Sequence, residues 1–483
     1  MNTFDLLYDL WIPCLKEDGT TEELGILETF RRAHEFVGIN AQSPLENCGI
    51  YRMLFSILMD ATRYSKRQIG DFLDLHEVFN EDTLEAIRSR NESNMNILSK
   101  DCPWMFGQPG SSEKKMSGID SIDLINSGTY LHSEITSRTI DSLSLASIAR
   151  MMTTLPAFYT GSGAGNITSI NGLPIYTIPI GSNLRETILL NYVSLDLDPG
   201  EASWHQERFE NKELIAVPKL LEGMTLPIRY VILDGKERPE QCIFSTGHYY
   251  KNKDGAWRDP WVTYCQGKDG TLRPVSAGYG ILSNFCSWRH FAAIFMSDTN
   301  IGVISDRSIA REYSEAIKSW KTFYMSNEAN PPSVKLREIR EDTFVFPVEL
   351  LTDNRGRIHQ IIDVAEKAGV ALSKGVYSTC FQDKQKDKQK EKPDYKKVYN
   401  LRDQMIKDLW RNCEVKFKEI LSDKQLIENP EDFDKLFIDW SEFLKTQMMR
   451  IFRKHISGFK KMTQAKADRA MMSHWKNGEY DGN

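Results

Sequence analysis

Glycine recurs at every second position from Gly161 to Gly165, and together with the segment after it this loop restricts the fold more than any other feature of the chain. That segment is a proline-punctuated extended run, Pro174-Ile175-Tyr176-Thr177-Ile178-Pro179, and after it comes an apolar, helix-like stretch carrying Leu184, Ile188, Leu189 and Tyr192. Glycines two apart leave a span of backbone free of side chains, so that span can lie flat against another surface. A dinucleotide fingerprint requires a helix to open on its glycines so that the helix N-terminus meets a pyrophosphate. An extended run stands there instead, and no Walker lysine follows. On these residues alone a surface loop is the favoured reading.

The 483 residues suffice for a large core and suggest two to four domains. The net charge of −6 gives no global attraction for nucleic acid, so any such contact must come from local patches. Apolar runs such as Met53 to Met59 fall far short of the roughly 20 residues a membrane span needs. The start, Met1-Asn2-Thr3-Phe4-Asp5, lacks the basic and apolar regions of a signal peptide. The eight cysteines form no C-x-x-C pair and read as reduced core thiols of a cytoplasmic protein.

In chain order, Phe4 to Cys14 reads as a strand, Asp18-Gly19 as a turn before a second short strand, and Leu27 to Phe36 as a helix. Pro44 introduces a helix to about Tyr64, with Ile50, Leu54, Ile57, Leu58 and Ala61 on one face. Asp82 is the expected N-cap of a short helix through Ser89. Pro103 to Gly107 forms an aromatic knot, and Gln108 to about Thr139 is a long polar loop. A helix is expected over 140–154, a strand over 227–232 and a turn at Lys253-Asp254-Gly255. Trp257, Trp261 and Trp288 supply bulk for a β-rich core. Ile304 to Phe323 reads as helical and Ser326 to Ser333 as a loop.

Past Asp353, apolar residues recur at helical spacing in four segments, including Ile361, Val364, Ala368 and Leu372, then Leu401, Met405, Leu409, Cys413 and Phe417. The fold class expected is therefore α+β: a mixed α/β domain over 1–350 and a four-helix bundle over 351–483. The lysine-rich segment 383–397 reads as a loop between the first two bundle helices.

Catalytic patterns are missing. Nine histidines are scattered without an H-E-x-x-H pair or an H-D dyad, and Ser162 lies outside a nucleophile elbow. No catalytic residue, metal or cofactor is expected. Basic residues do cluster. Lys251 and Lys253 sit at a turn beside Tyr249 and Tyr250, although a solvated turn is the better reading from residues alone. Arg450, Arg453, Lys454, Lys460, Lys461, Lys466 and Arg469 form a one-signed stripe opposite Leu444, Met448 and Ile451, a hint of phosphate binding.

Three motifs point to a family: Leu10-Trp11-Ile12-Pro13, Pro103-Trp104-Met105, and Gly172-Leu173-Pro174 through Leu184-Arg185-Glu186-Thr187-Ile188-Leu189-Leu190-Asn191 behind the glycine loop. With the four-helix pattern, they resemble the CasA family, the large subunit of the type I-E CRISPR Cascade complex. The resemblance implies a non-catalytic, cytoplasmic protein that reads the protospacer-adjacent motif (PAM) of target duplex DNA from the minor groove. It would promote duplex opening for guide-RNA pairing and recruit a helicase-nuclease. Its partners would be the crRNA-bound backbone, small and 5′-handle-binding subunits. Carried over by position, Gly161, Gly163 and Gly165 are the glycine loop, and Lys251 or Lys253 is the groove lysine. Tyr130, His132, Ser133 and Glu134 belong to the loop that contacts guide RNA and a neighbouring subunit. The strand-splitting wedge falls within Asn330, Ser333 and Lys335, where Pro331-Pro332 replaces the family's glutamine. The rivals are a nucleotide- or phosphate-binding enzyme that uses the same glycines, and a scaffold that only docks protein subunits.

Overall fold

The computed structural model describes residues 3–75, 78–99, 116–124, 143–159, 169–193, 199–205, 217–234, 236–246, 250, 256–276, 286–296, 309–330, 333–351, 355–382, 395–423 and 429–476, with backbone alone at 245–246, 326–330, 333–338, 379–382 and 395–397. Two compact units emerge. One is Met1–Ile281 with Ala293–Thr343, and the other is Leu282–Ala292 with Phe344–Asn483.

The first unit opens on a three-stranded antiparallel sheet in which Ile12–Lys16 lies between Thr21–Leu24 and Phe36–Ile39. The turn between the first two strands has Gly19 at φ +83°, and Asp18 Oδ1 accepts from Thr20 N. The strand expected from Phe4 begins only at Ile12, because Asp5 folds the preceding residues into a turn whose Leu7 N bonds to Asp5 Oδ1. The helix expected to Phe36 ends at Arg31, and Phe36 starts the third strand.

The core is built on the Pro44–Thr62 helix. Ser43 caps it by accepting from Leu45 N, Pro44 supplies a first-turn residue that needs no partner, and Arg63 ends it in the left-handed region at φ 55°. It is buried nearly all round, so this helix lies inside the unit rather than on its surface. At Gly49 the Leu145–Phe158 helix comes so close that a Cβ would meet Thr153 Oγ1 at 2.5 Å. The neighbouring short helix Glu81–Asn91 is capped by Asn80, not Asp82.

The central sheet is ordered Ser333–Phe344, Ser319–Asn330, Tyr176–Ile180. It overturns two expectations. Of the segment read as helical from Ile304 to Phe323, Ile309–Glu312 is a short helix and Ser314–Ala316 a single tight turn of helix. From Ser319 onward the chain is a strand, with Trp320 and Phe323 fully buried on a β-paired segment. The segment read as a loop from Ser326 is the rest of that strand, and both strands run to within two residues of each other at the tip. Ladder pairing holds this polar stretch, and pairing leaves no apolar signature in sequence.

The second unit is a four-helix bundle of Arg355–Gln382, Tyr395–Ser422, Pro430–Ile456 and Lys461–Lys476. Leu372, Leu409, Phe417, Trp440, Met448 and Met471 are buried within it. Trp288 belongs here and not to the β-rich core. It is fully buried against Phe417, Trp410 and Trp440, and its Nε1 donates to Trp410 O at 3.2 Å. A buried indole needs such an acceptor, and the helix carbonyl supplies one.

Candidate nucleic-acid interface

Gly161, Gly163, Gly165, Lys251, Lys253, Tyr130, His132, Ser133 and Glu134 lie outside the described residues. Their flanks are described, and the flanks of the glycine loop and of the lysine turn converge on one buried cluster.

The glycine loop leaves Tyr159 and returns at Ser169, where Ser169 N donates to Tyr159 O at 2.8 Å. Arg229 Nη2 donates to Tyr159 Oη at 2.5 Å, and the guanidinium stands 4.4 Å from the Tyr159 ring centroid and 5.5 Å from that of Phe244. Arg229 pairs across the ladder with Thr246, the last residue before 247–255. On the return side of that segment, Asp259 N donates to Tyr264 Oη at 2.8 Å, and Tyr264 Oη donates to Asn171 Oδ1 at 3.1 Å. The entry side of the lysine turn is therefore tied to the entry of the glycine loop, and its return side to the return of that loop.

Beneath this junction lies a buried charge pair. Arg52 Nη1 sits 2.7 Å from Asp259 Oδ2, with the guanidinium 4.5 Å from the Tyr176 ring centroid and 5.3 Å from that of Trp261. Burial is the largest single influence on Arg52 and lowers it, but Asp259 at contact, Tyr176 and Cys48 together outweigh it and hold the guanidinium charged. Burial also pushes the Asp259 carboxyl above its ordinary value, against the pull of Arg52. Arg52 had a legible signal: it interrupts an apolar run in a helix that is hydrophobic all round, where a charge must be paired. Its partner lies far along the chain and had none.

The Gly172–Ile180 run organises these parts. Gly172 takes φ +68°, Ile175 N donates to Val275 O and Thr177 N to Trp261 O. On its other edge Tyr176 pairs with Phe323 and Ile180 with Ser319. Because this pairing is antiparallel, the hairpin strand passes Tyr176 at the end where the glycine loop returns. It continues from Tyr324 to Asn330, roughly 23 Å at the usual rise. Asn330, Ser333 and Lys335 are strand residues flanking that tip. No helix opens between Ser169 and Ile180, so the described residues offer no helix terminus there for a pyrophosphate.

Glu46 lies below the helix that leads into the glycine loop. Its carboxyl is buried 3.9 Å from Arg150, and burial pushes it up to about 7, with Arg150 opposing and Asp123 adding. The folded value exceeds the ordinary 4.5, so the folded chain holds an extra proton between them. Stability therefore falls as pH rises through that window. Glu46→Gln is expected to remove the slope, gaining up to about 3 kcal/mol at about pH 8 and nothing below about pH 4.5. Urea denaturation across that pH range checks it.

In the bundle, Arg450, Arg453, Lys454, Lys460 and Lys461 are all exposed, opposite buried Leu444, Met448 and Ile451. Lys454 Nζ lies 3.6 Å from Asp408 Oδ2. Arg453, Lys454 and His455 occupy the last turn of Pro430–Ile456, where the helix dipole favours cations. Lys460 and Lys461 stand at the start of the next helix, where the dipole disfavours them, so local stability does not account for their charge.

Two Asp–His pairs form in space among the described residues although no H-D motif exists in sequence: His455 Nε2 lies 3.0 Å from Asp408 Oδ2 in the bundle, and a second pair lies in the first unit. His205 Nε2 lies 2.9 Å from Asp60 Oδ2, and Arg90 Nε donates to the same oxygen at 3.1 Å. Burial pushes Asp60 up, but His205 and Arg90 outweigh it and hold the carboxyl below its ordinary value. Among the described residues, no group of three or more His, Cys, Asp and Glu could hold a metal ion. No described helix is long and apolar enough to cross a membrane.

The family model of CRISPR-associated protein Cse1 matches residues 5–451. The CRISPR-associated protein CasA/Cse1 of Thermus thermophilus is 28% identical over 214 residues, which is 42% of this chain and 42% of that relative's length. A solved structure of Thermus thermophilus CasA (Cse1) superposes with a TM-score of 0.76 at 18% identity, covering 99% of each chain. A chain of a CRISPR RNA-guided surveillance complex gives a TM-score of 0.72 at 18% identity, covering 98% of this chain and 100% of that one.

Proposed function

Because the chain belongs to the CRISPR-associated protein Cse1 family, we propose that it serves as the large, non-catalytic subunit of a type I-E Cascade complex and reads the PAM of target duplex DNA from the minor groove. The observation that carries this reading is the common root of the loops flanked by Tyr159/Ser169 and by Thr246/Asp259, beside the strand that bears the long hairpin. Gly161, Gly163 and Gly165 offer side-chain-free backbone to the groove, and Lys251 or Lys253 reaches base acceptors there. The minor groove mainly separates A·T from G·C, so this reading is tolerant of several PAM sequences. Sequence specificity passes to guide pairing, as in other RNA-guided systems. The hairpin tip between Asn330 and Ser333 starts strand separation. Tyr130, His132, Ser133 and Glu134 contact the guide's 5′ end and a backbone subunit, and the opened complex recruits the helicase-nuclease.

Electrophoretic binding by the assembled complex tests the reading. Duplex with the PAM should bind at least about tenfold more tightly than duplex with a scrambled PAM. Equal affinities count against it.

The bundle stripe holds phosphate. Replacing Arg450, Arg453, Lys460 and Lys461 with Gln should weaken PAM and non-PAM duplexes alike. The plot of log affinity against log salt should flatten by about 0.9 for every phosphate the variant no longer neutralises. An unchanged salt slope removes the stripe from the interface.

A further inference from the structure

Asn47 stands where two elements with different proposed tasks meet. It is buried in the first turn of the Pro44–Thr62 helix, and its Oδ1 accepts from Ala41 N at 2.8 Å. Its amide is thereby oriented, and Nδ2 donates to Glu341 Oε2 at 3.0 Å. The other carboxylate oxygen, Glu341 Oε1, takes Lys321 Nζ at 2.5 Å. A single carboxylate thus joins both strands of the hairpin to the core helix. Next to it, Arg340 Nε lies 2.8 Å from Asp342 Oδ1, and Tyr324 Oη donates to Asp342 Oδ2 at 3.3 Å, so the hairpin is gripped just where it leaves the sheet.

The same helix turn faces the other way as well. Glu46 opposes Arg150, and Gly49 packs on Thr153, both on the helix that runs into the glycine loop. Hydrophobic packing would hold these elements together without polar bonds. A directional hydrogen-bonded carboxylate does more, because it sets one angle between hairpin and helix.

Given the PAM reading above, on which this inference rests, we propose that Asn47, Glu341 and Lys321 are positioning residues. They hold the hairpin at the angle from which it separates strands once the loops have engaged the PAM. Binding of closed duplex does not need that angle, and opening does.

The test uses the assembled complex, a PAM duplex with a fluorescent adenine analogue beside the PAM, and the same target with that region already unpaired. Asn47→Ala should keep wild-type affinity for a short PAM duplex that cannot open. It should slow fluorescence rise on the long duplex about tenfold, the loss expected for one hydrogen bond to a charged group. On the pre-opened target it should match wild type. Glu341→Gln keeps the side chain's size but turns an N–H toward Lys321, and it should behave the same way. It therefore serves if Asn47→Ala folds poorly. Opening at the wild-type rate in Glu341→Gln overturns the proposal, as does an equal loss on the short and pre-opened targets. Wild-type complex without PAM preference overturns the underlying reading first, and this inference with it.

Discussion

Gly163→Asp is expected to weaken binding of a PAM-bearing duplex by roughly one hundredfold while leaving complex assembly intact. Two effects add. The minor groove is only about 6 Å wide, so a side chain on this backbone holds the loop out of it. The added carboxylate also faces the densest negative charge of the duplex. The size corresponds to the upper end of what one wrong base pair costs. Gly163→Ala adds bulk without charge and should show a smaller loss. Electrophoretic titration of both variants measures this, and unchanged PAM affinity in Gly163→Asp removes the loop from the interface.

Arg52→Met is the largest stability effect expected. The substitution preserves much of the apolar volume but leaves Asp259 buried without its cation and removes the contacts to Tyr176 and Trp261. Breaking a buried pair from one side costs about 3–5 kcal/mol. Replacing both partners with apolar residues, as in Arg52→Met with Asp259→Leu, should recover a large part of that loss, because no charge is then stranded. Denaturant titration of the single and double variants gives the comparison. A single-variant loss below about 1 kcal/mol would mean that the pair is not holding the loop bases together.

Much of the fold is legible from sequence where local signals and tertiary packing agree. Pro44 before an apolar run announces the core helix, and the spacing of Leu184, Ile188 and Leu189 announces the short one. The bundle shows through its spacing, since Leu409, Cys413 and Phe417 keep one helical face buried. Ser319–Asn330 misleads because its outer half is polar and its inner half is buried on both faces, so neither alternation nor a helical period marks it. Trp288 misleads because its setting is fixed by contacts distant in sequence: its neighbours in the chain suggest a β core, and Phe417 and Trp440 take it into the bundle. For the candidate interface, spacing and resemblance single out the glycines and lysines themselves. The joins that hold their flanks together, Arg229 to Tyr159, Tyr264 to Asn171 and Arg52 to Asp259, link residues with no periodic or local relation, and only the folded chain reveals them.

Minor-groove reading of the PAM is the central claim, and base analogues test it most directly. Inosine in place of guanine removes the one donor that G·C presents in the minor groove and leaves the major-groove acceptors in place, whereas a deaza analogue of guanine removes the N7 acceptor of the major groove and leaves the minor groove untouched. Titrating the assembled complex against PAM duplexes carrying each analogue should show inosine shifting affinity toward that of an A·T pair, with the deaza analogue indistinguishable from guanine. Sensitivity to the deaza analogue together with indifference to inosine would contradict the account.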